Sequence, residues 1–440
     1  MIRANIGSPA RLSRGYLSPS SRYGFRQPNF AEAVNALTYL LRNGELSNLA
    51  SFSRGGSIQT YFDANGVLRT TAANSPAFAA GSRLQIYEAR TNQLLQSTNF
   101  SDAAWTKTRS VVVAQAAGTA LDGSGTAYKL RADSTAASTH YLRVTTNPTI
   151  VASTTYTWTI IAKAAELPRF RFQVSSGFNT VALINADVNL TAGTAVVNAG
   201  PASVTMTPLG NGIYIFTFTA TSGASPTAPF LDLMLADASG ATSFNGDGTS
   251  GIILYYFGME SGAFSSPAIV TTTAAVTRNA DQSTFNLATL FPAGIGAILF
   301  KGTIPVLAPS GSVAHYVVQL DDGSDNNRMA AYVNAGTGTV QPLRTIAGTG
   351  AGGSTTAESV TGGTTFRLGV SFDATVGTIT ACLNGGAVRS VTGGPTSGYT
   401  TVRLGNAVSG ARALNGLAES FAYISEAVND NDLQALVANF

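Results

Sequence analysis

Alternation with a period of two constrains this chain more than any other feature. In TYTWTIIAKA the side chains of Tyr156, Trp158 and Ile160 fall on one side, and in RFRFQVSS those of Phe170, Phe172 and Val174 do the same. Successive side chains of a strand point to opposite faces, so each run has one apolar face that must be covered. Further runs, SVVVAQ, TAYKLRAD, HYLRVTT, VALINADVNL and GIYIFTFTAT, follow at a spacing of about ten residues, the rhythm of an antiparallel sandwich. Two sheets packed face to face bury all of these apolar faces at once.

A later set of runs repeats the argument. AILFKGTI, HYVVQLDDG, NRMAAYVNAG, VQPLRTIAG, FRLGVSFDA, GTITACLNGGAVRSV, TVRLGNAV and GLAESFAYI predict a second sandwich, closed by a short helix that Asn429 to Asn431 cap and that turns Leu433, Leu436 and Val437 inward. At 440 residues the chain is long enough for more than one core. The fold class expected is mainly β: two tandem antiparallel β-sandwiches, a jelly roll and then a concanavalin-like one, preceded by an extended arm with one helix and a β-hairpin.

Composition removes several functional classes. Only 11% of residues are charged, against about 25% in ordinary soluble domains. A content of 44% hydrophobic residues with a net charge of +3 is the opposite of a disordered composition. Cys382 is the sole cysteine, which rules out an intrachain disulfide and a cysteine-based zinc site, and the two histidines, His140 and His315, are too far apart for a short-spacing ligand pair. No stretch has signal-peptide character or approaches about 18 uninterrupted apolar residues, so a soluble protein made inside a cell, without membrane insertion, is expected. The basic residues are scattered, so no nucleic-acid partner is expected.

Along the chain, residues 1–50 read as an N-terminal arm. Arg3, Arg11, Arg14, Arg22 and Arg26 sit among small residues, and NFAEAVNALTYLLRNG then reads as a helix capped by Asn29, with Val34, Leu37, Leu40 and Leu41 on one face and Gly44 at its end. Residues 51–93 form a connector. In it, Ile58, Thr60 and Phe62, the turn Asp63-Ala64-Asn65-Gly66, and Val67 and Leu68 predict a β-hairpin lying over the next module. Residues 94–265 hold the first sandwich, the Thr/Ala-rich residues 266–284 an extended linker, and residues 285–440 the second sandwich.

Two stretches frame the first sandwich. YEARTNQLLQSTNFSDAAW spans Tyr87 to Trp105, and FNGDGTSGIILYYFGMESGAF spans Phe244 to Phe264. Together with TYFDANGVL before them and TAAVTRNAD after them, they resemble segments of tailed-bacteriophage virion structural proteins of the tail-fibre and head-fibre type. In that family they bound a carbohydrate-binding-module-like jelly roll. FRLGVSF, ITACLNGGAV and the ending LNGLAESFAYISEAVNDNDLQAL resemble a laminin-G or concanavalin-like lectin sandwich. The chain departs from the phage pattern at Gly212-Ile213-Tyr214, where many relatives carry Gly-Trp-Tyr. If that tryptophan is a sugar platform, Ile213 weakens the glycan role of this module.

Side chains with chemistry are few. An acid/base hydrolase needs two carboxylates across a cleft, and no spacing singles out a pair, so no catalytic residues and no enzyme activity are expected. Neither a GxSxG elbow nor a phosphate loop occurs in a suitable context. Asp321, Asp322, Asp325 and Asn326 in LDDGSDNNR could supply the oxygens of a calcium site, although the loop lacks the spacing and terminal Glu of an EF-hand. The competing reading is a hairpin turn whose Asp and Asn bond their own backbone. Trp105 and Trp158 suit sugar stacking by chemistry and the core by pattern. His140, His315 and Cys382 lie in strand-like runs and read as buried structural residues.

The resemblance implies a non-enzymatic fibre or spike subunit on the phage particle surface, synthesised in the bacterial host cytoplasm. It would be anchored to other virion proteins by its N-terminal arm, self-associated as a homo-oligomer, a trimer above other states, and would present lectin-like sandwiches to host glycans. A capsid decoration or head-fibre protein without a receptor role fits the same residues.

Overall fold

The computed structural model describes residues 37–179, 183–393, 398–410 and 412–440. The first sandwich is built as expected, from two six-stranded antiparallel sheets. One runs in the spatial order Ser110–Ala117, Thr126–Ala132, Gly251–Ser261, Thr155–Ala164, Ile213–Thr221 and Ala202–Gly210; the other runs Thr194–Ala199, Leu183–Asn189, Arg169–Ser175, Leu231–Ala236, Tyr141–Val144 and Trp105–Thr108. The alternating aromatics of the sequence meet between them. Trp158 packs edge-on to Phe178 at 5.2 Å, Phe172 meets Phe218 at 5.1 Å, and Trp105 stacks on Phe257 at 5.3 Å.

The second sandwich draws strands from both ends of the described chain. Its core lies between a nine-stranded and a seven-stranded sheet and includes Phe300, Phe366, Leu368, Val402 and Phe421. The strand Thr38–Arg42 pairs with Gly416–Ile424 near the C-terminus, Arg83–Ile86 pairs with the same strand, and Ser51–Ser53 pairs with Gln282–Asn286. The first sandwich is thus an insertion in the second. Helix α1 (Leu287–Leu290) is a single turn, and helix α2 (Asp430–Asn439) is capped by Asn429, whose Oδ1 accepts from the Asp432 N–H. Leu433, Leu436 and Val437 of α2 pack over Leu299 and Cys382 on the outer side of the larger sheet.

The helix expected from Asn29 to Gly44 is corrected where it can be seen. Residues 29–36 lie outside the described residues, as does the rest of the proposed arm before them. From Thr38 the chain is a strand. The i, i+3, i+4 pattern of Leu37, Leu40 and Leu41 that suggested a helix arises from a β-bulge between Tyr39 and Leu41, and Leu40 and Leu41 are both buried. Gly44, expected to end the helix, and Asn43 before it have φ of 79° and 53° and form the tight turn into Glu45–Leu46. Asn-Gly is the sequence best suited to a turn with two positive φ values.

The hairpin Thr60–Phe62 and Leu68–Thr70 lies on the outer face of the first sandwich, where Phe62 and Leu68 cluster with Leu121, Ile161 and Tyr256. Ile213 is half-buried and packs against this same cluster.

The two framing motifs form the joint between the sandwiches. Arg90–Asn92 pairs with Val276–Arg278, so the segments leading into and out of the inserted module zip together. Around this ribbon lie three guanidinium and three carboxyl groups. Asp281 accepts from Arg54 Nε at 2.6 Å and from the Tyr87 N–H at 2.8 Å. Glu88 pairs with Arg90 at 2.6 Å, and Arg278 donates to the Glu88 carbonyl at 2.5 Å. Glu260 accepts from the Ser266 N–H and hydroxyl, and burial pushes its carboxyl above the usual range. Asn92 closes the set, accepting from the N–H groups of Leu94 and Met259 and donating to the Ile269 carbonyl. Buried ion pairs add little net stability but penalise any arrangement that separates them, so this joint specifies one docking geometry.

The GDGTSG motif has an equally local cause. A Cβ on Gly246 would land on the Asp133 carbonyl and one on Gly251 on the Leu130 carbonyl, while Asp247 accepts from the N–H groups of Thr249 and Ser250.

Candidate functional site

The acidic loop is occupied by protein partners. Asp321 is fully buried and held by Arg403 through Nε at 2.6 Å and Nη2 at 3.2 Å, and it also accepts from Gln319 and the Gly323 N–H. Asp322 accepts from the Ser324 N–H and hydroxyl and from Asn327, and these bonds hold its carboxyl below the usual range. Asp325 is paired with Arg328 at 2.6 Å and Arg412 at 3.3 Å. The Asn326 N–H donates to Ser324 Oγ, and the Asn326 carbonyl accepts from Gly348. Among the described residues no group of three or more His, Cys, Asp or Glu is arranged to hold a metal ion.

Trp105 and Trp158 are core residues. His315 is enclosed. Its Nε2 accepts from the Ala308 N–H and its Nδ1 lies 2.9 Å from the Leu414 carbonyl, so the neutral ring carries its proton on Nδ1, and burial lowers its pKa below the ordinary 6.5. His140 is likewise buried, with Nδ1 against the Arg109 carbonyl and Nε2 against that of Phe244. Burial pushes the Cys382 thiol up to about 11, which makes it an inert small hydrophobe.

The surface with the chemistry of recognition is the outer face of the sheet that the hairpin does not cover. In Tyr141–Val144, Arg169–Ser175 and Leu231–Ala236, the residues opposite the buried ones are Tyr141 and Arg143, Arg171 and Gln173, and Asp232 and Met234. Register lines them up. Thr106, Arg143, Asp232, Gln173 and Asn185 form one row across five strands, and Thr108, Tyr141, Met234, Arg171 and Asp187 the next. With strands about 4.8 Å apart, each row is roughly 19 Å long.

Two forked ion pairs stiffen this face. Arg143 meets Asp232 at 2.6 and 2.8 Å, and Arg171 meets Asp187 at 2.6 and 2.9 Å. The carboxylate bonds raise the pKa of both guanidinium groups; partial burial alone would raise Asp187, but bonds from Arg171 and Asn198 outweigh it and lower its pKa. The Arg143 guanidinium lies 4.0 Å from the centre of the Phe230 ring and 5.0 Å from that of Tyr141, and Phe230 is 49% exposed. Asn185 is almost fully buried, yet its Oδ1 has no protein partner. Planar polar groups beside exposed aromatic rings can hydrogen-bond sugar hydroxyls and cover C–H faces. Both carboxylates are engaged by arginine, so the face holds no free acid/base pair of the kind glycoside hydrolysis uses.

Tyr141, Arg143, Arg171, Gln173, Asn185 and Asp187 were present in HYLRVTT, RFRFQVSS and VALINADVNL, whose apolar halves predicted the strands, whereas Phe230, Asp232 and Met234 lie in PFLDLMLA, a strand not among those expected. The signal lay in the other half: Arg, Gln, Asn and Asp where the opposite sheet carries Thr.

No family model matches the chain, and no curated protein matches it by sequence. Among solved structures, the carbohydrate-binding module CBM40 of a Ruminococcus gnavus IT-sialidase, bound to α2,3-sialyllactose, is similar at 14% identity over 33% of this chain and 83% of that one, with a TM-score of 0.27. A SAP-like pentraxin from Limulus polyphemus is similar at 12% identity over 33% of this chain and 70% of that one, with a TM-score of 0.24. Domains LG4-5 of the mouse laminin α1 chain are similar at 10% identity over 83% and 95%, with a TM-score of 0.22. The class of the protein rests on its own sheets: a protein of two antiparallel β-sandwiches in which the first is inserted in the second and not, as expected, in tandem with it.

Proposed function

We propose that this chain is a non-enzymatic glycan-binding subunit of a tailed-phage fibre or spike, carried on the virion surface after synthesis in the host cytoplasm. The observation that carries the glycan reading is the outer sheet face on which half-buried Arg143, stiffened by the buried Asp232, and half-buried Gln173 lie beside Tyr141 and the exposed Phe230. The virion reading rests on the resemblance of the framing motifs, the first of which supplies Arg90–Asn92 to the ribbon with Val276–Arg278 between the sandwiches. In this reading residues 1–36, which precede a strand of the second sandwich, belong to the attachment arm, the second sandwich is the base beside it, and the inserted module faces outward. Self-association as a homotrimer, with residues 1–36 docking on other virion proteins, completes the proposal.

Immunogold labelling of phage particles encoding the chain tests the location. Label on tail fibres or spikes is expected. Label confined to the head would replace this reading with that of a decoration or head-fibre protein, and particles without label would end the virion assignment.

A further inference from the structure

A cleft of about 340 Å3 separates the inserted module from the base, on the side opposite the row of arginines. Its floor is the outer face of the hairpin-bearing sheet, where register places Thr159, Thr217 and Thr205 side by side on three adjacent strands. None of these three hydroxyls has a partner among the described residues, in contrast to Thr157 and Thr219 one row away, which bond each other at 3.0 Å. The opposite wall comes from the second sandwich, where the apolar Pro305 and Val306 stand with Gln85 and Asn415. No residue lining the cleft carries a charge.

We propose that this cleft is a second binding site, for a neutral oligosaccharide. Hydroxyl groups both donate and accept, so a row of them matches a polyhydroxylated ligand whichever way its own hydroxyls point. Pro305 and Val306 suit the C–H faces of sugar rings, and the volume falls at the lower end of ligand pockets, enough for a short saccharide. The absence of charged groups excludes selection for carboxylated or sulfated sugars, whose charges would be desolvated without a counter-ion. A peptide strand is a poor fit, because the floor is a sheet face whose backbone groups are already paired within the sheet. Contact with both walls makes binding dependent on the docking of the two sandwiches. The site shares no residue with the Arg143 face and stands or falls separately.

The test is titration of the full chain, methyl-labelled at threonine and valine, with maltotriose, cellotriose and N-acetylchitotriose. At least one should shift the Thr159, Thr205, Thr217 and Val306 methyl signals saturably. Thr159→Val with Thr217→Val, which keeps shape and strand preference, should weaken that ligand about tenfold, while Val376→Ala, at an exposed turn outside both the cleft and the Arg143 face, should leave its affinity unchanged. The proposal is overturned if none of the three shifts these signals at about 10 mM, a concentration that detects millimolar binding. It is equally overturned if the double valine variant binds as the parent does, or if an acidic trisaccharide binds more tightly than all three neutral ones.

Discussion

Asp281→Asn should uncouple the joint on which the architecture depends. Asp281 is fully buried and receives Arg54 Nε at 2.6 Å, the Tyr87 N–H at 2.8 Å and Arg278 at 3.5 Å, and the Arg54 side chain is itself completely enclosed. An amide of the same size leaves both guanidinium groups buried without their counter-ion and creates no cavity. The cost follows from the charge imbalance and is about 3–5 kcal/mol, or roughly 6–20 °C at the scaling of domains of comparable size. Differential scanning calorimetry of the full chain reads it directly. Adding Arg54→Met to Asp281→Asn should recover part of the loss, since it removes the fully enclosed guanidinium left without its carboxylate while the amide oxygen can still accept from the Tyr87 N–H. A shift below about 2 °C for Asp281→Asn, corresponding to less than about 1 kcal/mol, would refute the joint as a specificity device, as would a double variant no more stable than the single one.

Further outcomes follow from the same structure. Deleting residues 1–36 should leave a folded protein, whereas deleting residues 1–50 removes Leu40 and Leu41 from the base core and should cost about 3–6 kcal/mol from their burial alone; circular dichroism melts of the two truncations compare them. Trp158→Ala should lose about 3–5 kcal/mol of stability as a core residue, measured by chemical denaturation. His315 is held neutral in the native state while the unfolded chain takes up a proton near its ordinary pKa of 6.5, so stability contributed by this residue is present above that pH and lost as the pH falls through and below it. The stability difference between the parent and His315→Gln should therefore narrow between pH 7 and about pH 5, and a constant difference would contradict the enclosed neutral ring.

Strands were legible because alternation is a local property. Trp158, Phe172 and Phe218 could be assigned to a core from the period alone, and they meet there. Which sandwich each strand joins depends on pairing across more than three hundred residues, as between Thr38 and Tyr423, and no local pattern carries that. The misread helix has the same origin, since one bulge gives Leu40 and Leu41 the spacing of a helical face. Polar residues divided in the same way. Asp322 in its turn reflects nearest-neighbour chemistry, while the row from Thr106 to Asn185 exists only once five strands are in register. The framing motifs were legible as boundaries, but their role as a shared polar joint required Arg54 and Asp281, 227 residues apart, to be seen in contact.

The most direct test of the central claim is glycan-array binding by the full chain beside its Phe230→Ala and Tyr141→Ala variants, with folding checked by calorimetry. Phe230 is half exposed and Tyr141 lies at the surface of its strand, so both variants should fold, and each should lose about tenfold or more in affinity for the glycan bound by the parent, as expected for an aromatic contact of about 1.5 kcal/mol. Absence of glycan binding by the parent chain, or full retention by both variants of every glycan that the Thr159→Val, Thr217→Val variant also binds, would contradict the assignment of this face as the receptor surface.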